Sequence, residues 1–335
     1  MGALPPPTGG VSVHCERILE AMKQGGIEVD VVNLRGSAKA SAADEIVGWR
    51  AGRRLARARN DSSAVFLHYS GSTNLRKTLH LVAAASVIKR RNLVLFQHNG
   101  AYDRVLASRQ PSGAIHRWLV RRAALVMCLS EALETATRDA DRLARCVRCV
   151  SFVVSPTLAA LRERAAAEPK SAGRVVTSGY RTPNYRYEEV IEAVRLVRNA
   201  RPQTVLDLYC YGATDEKYWQ GITELARKES WIAIHHDVPE TAWLRELQRS
   251  SLYVRNTEHD SYGVAVAEAL YLGIPAMATE VCDRTPGTLL YQAGDQPALL
   301  AGMLELLALP EERKLHDVAD AMHGYATALG LLERA

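Results

Sequence analysis

Nowhere in the 335 residues does an apolar run reach the roughly 18 to 20 residues that cross a bilayer, so no membrane-spanning anchor is expected. The opening MGALPPPTGG has neither a basic start nor an apolar stretch, which is unlike a secretory signal. A cytoplasmic protein is expected, soluble or peripheral on the cytoplasmic face of a membrane. Paired cysteines are missing too: Cys15, Cys128, Cys146, Cys149, Cys210 and Cys282 are scattered, which fits a reducing compartment. Cys146 and Cys149 form one C-x-x-C, but no second pair and no nearby histidine accompany it, and no metal site is expected. The basic stretches lack interleaved aromatics and no nucleic-acid-binding motif is present, which sets nucleic acid aside as a partner. Repeats and low-complexity segments are also absent.

What remains is the composition of a globular protein, 47% hydrophobic and 24% charged. Its length exceeds that at which a single core stops growing, so two domains of about 150 residues each are expected, 1–155 and 156–335. Charge divides along the same line. Residues 1–150 hold 23 Lys and Arg against 12 Asp and Glu, a net of +11, and residues 151–335 hold 19 against 25, a net of −6. The stretches RRLARAR (53–59), KRR (89–91) and RWLVRR (117–122) suit an anionic surface, or are plain solvated helix faces.

Short apolar runs alternate with helical patterns. Strands are predicted at 27–34, 64–69, 93–97, 125–129 and 147–154, then, after a helix near 157–168 and the linker EPKSAG, at 174–178, 204–210, 231–235, 252–255 and 275–279. Strands apolar throughout and separated by helices imply parallel sheets covered on both faces. The expected fold class is therefore α/β, with two Rossmann-like domains. Ligands of such sheets bind beyond the carboxyl ends of the strands, so the loops there carry the candidate residues.

In PPPTGGVSVHCERILEAM (5–22) the pair Gly9 and Gly10 opens a helix, where free N–H groups attract phosphate or developing negative charge. Only MGAL precedes this segment, shorter than the strand that ordinarily leads into such a loop, so an upstream apolar strand is expected. LVLFQHNG puts His98 directly after a strand, as a hydrogen-bond partner for substrate or a satisfied structural histidine. RVVTSGYRTPNYRYEE brings Gly179 and then Arg181 and Arg186, guanidinium groups suited to a diphosphate, and Arg255 ends a later strand. An Asp139/Asp141 D-x-D lies inside a helical run, where residues two apart point to different faces, and is discounted as a metal motif.

DSYGVAVAEALYLGIPAMAT (260–279) is the most specific stretch. Asp260 follows a strand, Gly263 marks a close approach, and a helix carrying Glu268 begins near Val264. Amides at that helix start can cradle phosphate, whereas an acid farther along must accept hydrogen bonds from neutral hydroxyls. One carboxylate on vicinal ribose hydroxyls and another on a sugar across the diphosphate meet the needs of a nucleotide-sugar site. A capped helix with one incidental acid is the plain alternative.

D-x7-E followed by ALYLGIPAMAT resembles the E-x7-E signature of family-four retaining glycosyltransferases of the GT-B fold. Tyr262, Gly263, Glu268, Gly273 and Pro275 fall in register, and PPPTGGVSVH, FQHNG and VVTSGY resemble the family's glycine-rich loop, strand-end histidine and nucleotide-domain start. The resemblance implies two Rossmann-like domains facing across a cleft, the first binding acceptor and the second the nucleotide-sugar donor. It implies that Glu268 holds ribose, that Asp260 contacts the donor sugar with His98 and Gly10 at the reacting centre, and that Gly9, Gly10 and His14 line the acceptor side. Gly179, Arg181, Arg186, Arg255, Tyr262, Gly263 and Val264 then serve the donor. Asp260 stands where the family usually has glutamate, and the arginines are each displaced by one from the family's phosphate clamp. The expected reaction is sugar transfer from a nucleoside-diphosphate sugar to an acceptor hydroxyl, with no cofactor and no metal. The expected acceptor is a saccharide or a lipid-linked saccharide of bacterial surface polysaccharide synthesis, met at an anionic membrane surface. A sugar-nucleotide-binding protein without transferase activity, or an epimerase or phosphorylase of the same fold, is the alternative.

Overall fold

The computed structural model describes residues 10–29, 31–32, 45–46, 64–69, 82–83, 85–165, 171–309 and 314–333. Gly9 and the basic stretch 53–59 lie outside the described residues. The chain divides into two compact units, the first comprising Met1–Val153 with Asp320–Ala335 and the second Val154–Ala319. The sequence reading carried the second domain to 335. The chain instead returns to the first unit, because the helix Ala321–Glu333 buries Ala321, Tyr325 and Ala328 in that unit's core.

The first unit has a short ladder, β1 (Val31–Val32) with β2 (Glu45–Ile46), and a parallel sheet of β3 (Val65–Tyr69), β4 (Leu93–Gln97), β5 (Leu125–Cys128) and β6 (Cys146–Arg148), paired in that order. Side chains on β4 alternate between two cores, as the two-residue period of a strand requires. Leu93 and Leu95 pack with Tyr102, Leu106, Leu119 and Leu133 on one face. Val94 and Phe96 pack with Ile18 and Met22 of the helix Gly10–Gln24, and with the helix Ala321–Glu333, on the other. β6 is shorter than the predicted 147–154: Phe152 and Val153 are fully buried but lie outside any strand.

The second unit holds one parallel sheet in the order β12 (Leu289–Tyr291), β11 (Ala276–Thr279), β10 (Leu252–Arg255), β7 (Arg174–Arg181), β8 (Val205–Thr214), β9 (Ile232–His236). The chain runs outward from β7 through β8 and β9, then crosses back to lay β10 on the other side of β7. Strand order reverses there, so a crevice opens beyond the carboxyl ends of β7 and β10. Among the described residues no helix is long and apolar enough to cross a membrane.

Candidate functional site

β10 ends at Arg255, and residues 256–263 lead from it into the helix Val264–Tyr271. Gly263 caps that helix with φ of 81°, in the region that only glycine enters without strain. The amides of Val264 and Ala265, ahead of the first intrahelical bond, point out of the helix start as donors for an anion.

Asp260 sits under this turn between two arginines. Its Oδ2 accepts from Arg255 Nε at 2.9 Å and from Arg284 Nη1 at 2.7 Å, and its Oδ1 accepts from the Ser261 amide. Burial alone would raise the Asp260 pKa; the two guanidinium groups outweigh it and hold the carboxyl well below the usual carboxylate range. Arg284 also donates to the carbonyls of Thr279 and Tyr262, tying the end of β11 to the loop. Arg255 donates to Ser178 O and lies over the Tyr185 ring, 4.9 Å from its centre. Tyr185 in turn covers Gly179, where an added Cβ would meet its ring at 2.0 Å. Tyr262 is buried, and its hydroxyl accepts from Thr285.

Glu268 lies farther along the helix, 3% exposed, and its Oε2 accepts from Trp243 Nε1 at 3.0 Å. The indole N–H fixes the orientation of this buried carboxylate.

Gly179, Arg255, Asp260, Tyr262, Gly263 and Val264 are therefore grouped at the β7 and β10 ends, with Glu268 farther along the helix that starts there. Arg181 ends β7, but its side chain turns to other partners. Its guanidinium donates to Thr214 Oγ1 and Gly212 O, on the β8 side. Arg186, at φ of 43°, caps the helix Tyr187–Ala200 and pairs with Glu189 at 2.6 Å. Arg284 and Trp243 escaped the sequence reading, and only three-dimensional proximity identifies them.

The first unit has its own cluster. Gly10 opens the helix Gly10–Gln24 in an exposed position with open space around it. His14, one turn on, is buried. Its Nδ1 donates to Ser151 O at 2.9 Å, which leaves Nε2 as the acceptor facing the Tyr325 hydroxyl at 2.9 Å. His98 continues the β3–β4 ladder through its amide to Tyr69 O, and its Nε2 lies 3.1 Å from His68 Nδ1. His68 Nε2 is 3.2 Å from the same tyrosine oxygen. Burial lowers all three histidines, His14 to about 4 and His68 and His98 well below their ordinary value, so the rings are neutral at neutral pH. Asp139 lies in the last turn of the helix Glu131–Ala140 and Asp141 just past it, where its Oδ1 accepts from the Leu143 amide.

No family model matches the chain, and a search of curated proteins gives no match. Solved structures do match. A sucrose-phosphate synthase from Thermosynechococcus elongatus is 14% identical, with a TM-score of 0.67, over 100% of this chain and 94% of that one. HepE of Anabaena, solved with UDP and glucose, is 14% identical with a TM-score of 0.61 over 95% of this chain and 89% of that one. A variant of S. aureus TarM, solved with fondaparinux, alpha-GlcNAc-glycerol and UDP, is 14% identical with a TM-score of 0.53 over 69% of this chain. The chain spans 47% of that TarM chain, and 57% of a second TarM structure. At these identities the likeness is one of architecture, and the architecture is the α/β GT-B fold with two parallel sheets.

Proposed function

We propose that the chain is a glycosyltransferase that takes a sugar from a nucleoside-diphosphate donor held by the second unit and passes it to an acceptor hydroxyl. The carrying observation is the grouping at the β7 and β10 ends: a helix start with outward amides, and a buried carboxylate, Glu268, farther along the same helix. The amides and Arg255 suit a diphosphate, while Glu268, oriented by Trp243, suits the two ribose hydroxyls. Asp260 stays ionised between its arginines and offers Oδ1 to a sugar hydroxyl. HepE, a structural neighbour, was solved with UDP and glucose, which supports a donor of this chemistry. The reading assigns no covalent nucleophile, so retention would rest on stabilising an oxocarbenium-like sugar and the leaving diphosphate. Arginines and helix amides neutralise the phosphates in this reading, and Mg²⁺ or Mn²⁺ is not required.

In this reading the acceptor falls to the first unit, with Gly9, Gly10 and His14 on its side and His98 as a hydrogen-bond partner for substrate. A lipid-linked saccharide at an anionic membrane, on the cytoplasmic face, suits the +11 charge of residues 1–150. A panel of nucleoside-diphosphate sugars in a thermal-shift screen, followed by assay of the best donor with lipid-linked and free saccharide acceptors, tests the reading. Donor-dependent stabilisation with release of nucleoside diphosphate supports it; no stabilisation by any donor overturns it. The second reading, donor binding without transfer, is favoured by the engagement of Asp260 with Arg255 and Arg284, and predicts stabilisation with no product.

A further inference from the structure

His14, His68 and His98 come from three separate segments, a helix, the strand β3 and the residue after β4, yet each puts a ring nitrogen within 4.8 Å of the other two. Their ring centres are 5.6, 5.0 and 5.4 Å apart. Three imidazoles on one tetrahedral zinc, with nitrogens at about 2.0–2.1 Å from the metal, stand with ring centres about 5 Å apart and ligating nitrogens about 3.3 Å apart. The His68 Nδ1 to His98 Nε2 separation of 3.1 Å is close to that spacing.

We propose that His14, His68 and His98 form a zinc-binding site that fastens the helix Gly10–Gln24 to β3 and β4. A ligating histidine ordinarily gives its second ring N–H to an oxygen, which fixes the ring and raises its basicity. Two of the three rings have that oxygen: His14 Nδ1 donates to Ser151 O, and His68 Nε2 faces the Tyr325 hydroxyl, leaving Nδ1. His14 Nε2 accepts from the Tyr325 hydroxyl, and zinc would replace that hydroxyl as its partner. Nitrogen ligands select zinc over magnesium or calcium, which prefer oxygen. Tyr325 acts as a positioning residue. A ligated His98 Nε2 leaves only Nδ1 of that ring for a substrate.

The site lies within the first unit and shares His14 and His98 with the acceptor side proposed above, but its readouts do not require sugar transfer. The test uses the full chain, purified without chelator and analysed for metal, then stripped and titrated with Zn²⁺ and Co²⁺. Stoichiometric zinc, an intense visible cobalt spectrum of tetrahedral type and a Zn²⁺-dependent rise in Tm are expected. His68→Gln should lose all three, and Tyr325→Phe should bind zinc about 10 to 100-fold more weakly. A wild-type chain that takes up no zinc and gives no cobalt spectrum overturns the proposal, as does equal zinc affinity in wild type and Tyr325→Phe together with retention in His68→Gln. Should His68→Gln fail to fold, the wild-type cobalt spectrum and the Tyr325→Phe affinity decide. None of these readouts is enzymatic, so their failure is separate from a failure to find a donor.

Discussion

Arg284 reaches across 2.7 Å to the carboxylate of Asp260 from a side chain that is 1% exposed, 24 residues farther along the chain. Together with Arg255 it makes a buried group of two cations and one anion. Removing the anion leaves two guanidinium groups without their counter-charge in a poorly hydrated place, whereas removing Arg284 leaves Asp260 paired with Arg255. Asp260→Asn is therefore expected to destabilise the second unit by about 3–5 kcal/mol and Arg284→Met by less, measured by chemical denaturation. Equal costs would mean that the two arginines are not competing for one carboxylate.

The same group predicts a pH dependence. The folded Asp260 pKa is depressed, so the unfolded chain binds the proton more readily and stability falls as pH drops. The contribution is complete above the unfolded carboxylate value, about 4, and is lost progressively below it. Denaturation midpoints taken from pH 6 down to about 3 should fall more steeply for the wild type than for Asp260→Asn; parallel curves would exclude Asp260 as their source.

Glu268 and Asp260 should separate in binding assays run well below the melting midpoint of each variant. Glu268→Gln is expected to weaken both donor and free nucleoside diphosphate by about 1–3 kcal/mol, the size of a hydrogen bond to a charged group. Trp243→Phe removes the indole donor to Glu268 and should act in the same direction, more weakly. Asp260→Asn should leave free nucleotide binding nearly unchanged while slowing transfer. Calorimetry that finds the same loss of nucleotide affinity for Glu268→Gln and Asp260→Asn would refute this division of roles.

The parts of this fold that sequence made legible are those with a local cause. β3, β4 and β10 are apolar because both faces of their sheets are covered, and such runs are visible without knowing the partner strand. The helix bearing Glu268 is announced by Gly263 and by small residues that let it pack tightly. β12 is three residues long and too short for any period to register. Phe152 and Val153 extend an apolar run without extending β6, since burial in an irregular segment and burial in a strand leave the same trace in sequence. Arg284, Trp243, His68 and Tyr325 have no local signal at all. Tyr325 meets His14 across 311 residues, and only the folding of the last helix onto the first unit creates that contact.

The first unit's charge should be readable as membrane attraction. Arg90, Arg91 and Arg142 are exposed, and Leu143, 84% exposed, stands in the same hollow as Arg90, Arg91 and Arg145, with Asp141 the acid beside them. Each well-placed basic residue contributes about 1 kcal/mol at an anionic surface, and the attraction weakens with salt. Sedimentation with vesicles rich in phosphatidylserine, but not with neutral ones, is expected, reduced by raised salt and by Glu at Arg90, Arg91 and Arg142 together. Binding that ignores both salt and these substitutions would leave the arginines as an ordinary solvated face.

Gly263 joins the two halves of the proposed donor site, and its replacement should damage both. At φ of 81° a side chain strains the backbone, and a Cβ there would lie 2.4 Å from Arg284 Nη1, the atom that holds Asp260. Gly263→Ala is therefore expected to cost about 1–3 kcal/mol of stability and to weaken nucleotide binding as the helix start is pushed off its position. Gly221 supplies the control: it is exposed within the helix Glu216–Arg227, an added Cβ meets nothing within 4 Å, and Gly221→Ala should stabilise by about 0.5–1 kcal/mol. Because part of the Gly263→Ala cost is the collision with Arg284, combining it with Arg284→Met should lose less than the two single changes together. Strict additivity in that cycle would assign the whole cost to the backbone and remove Arg284 from the account.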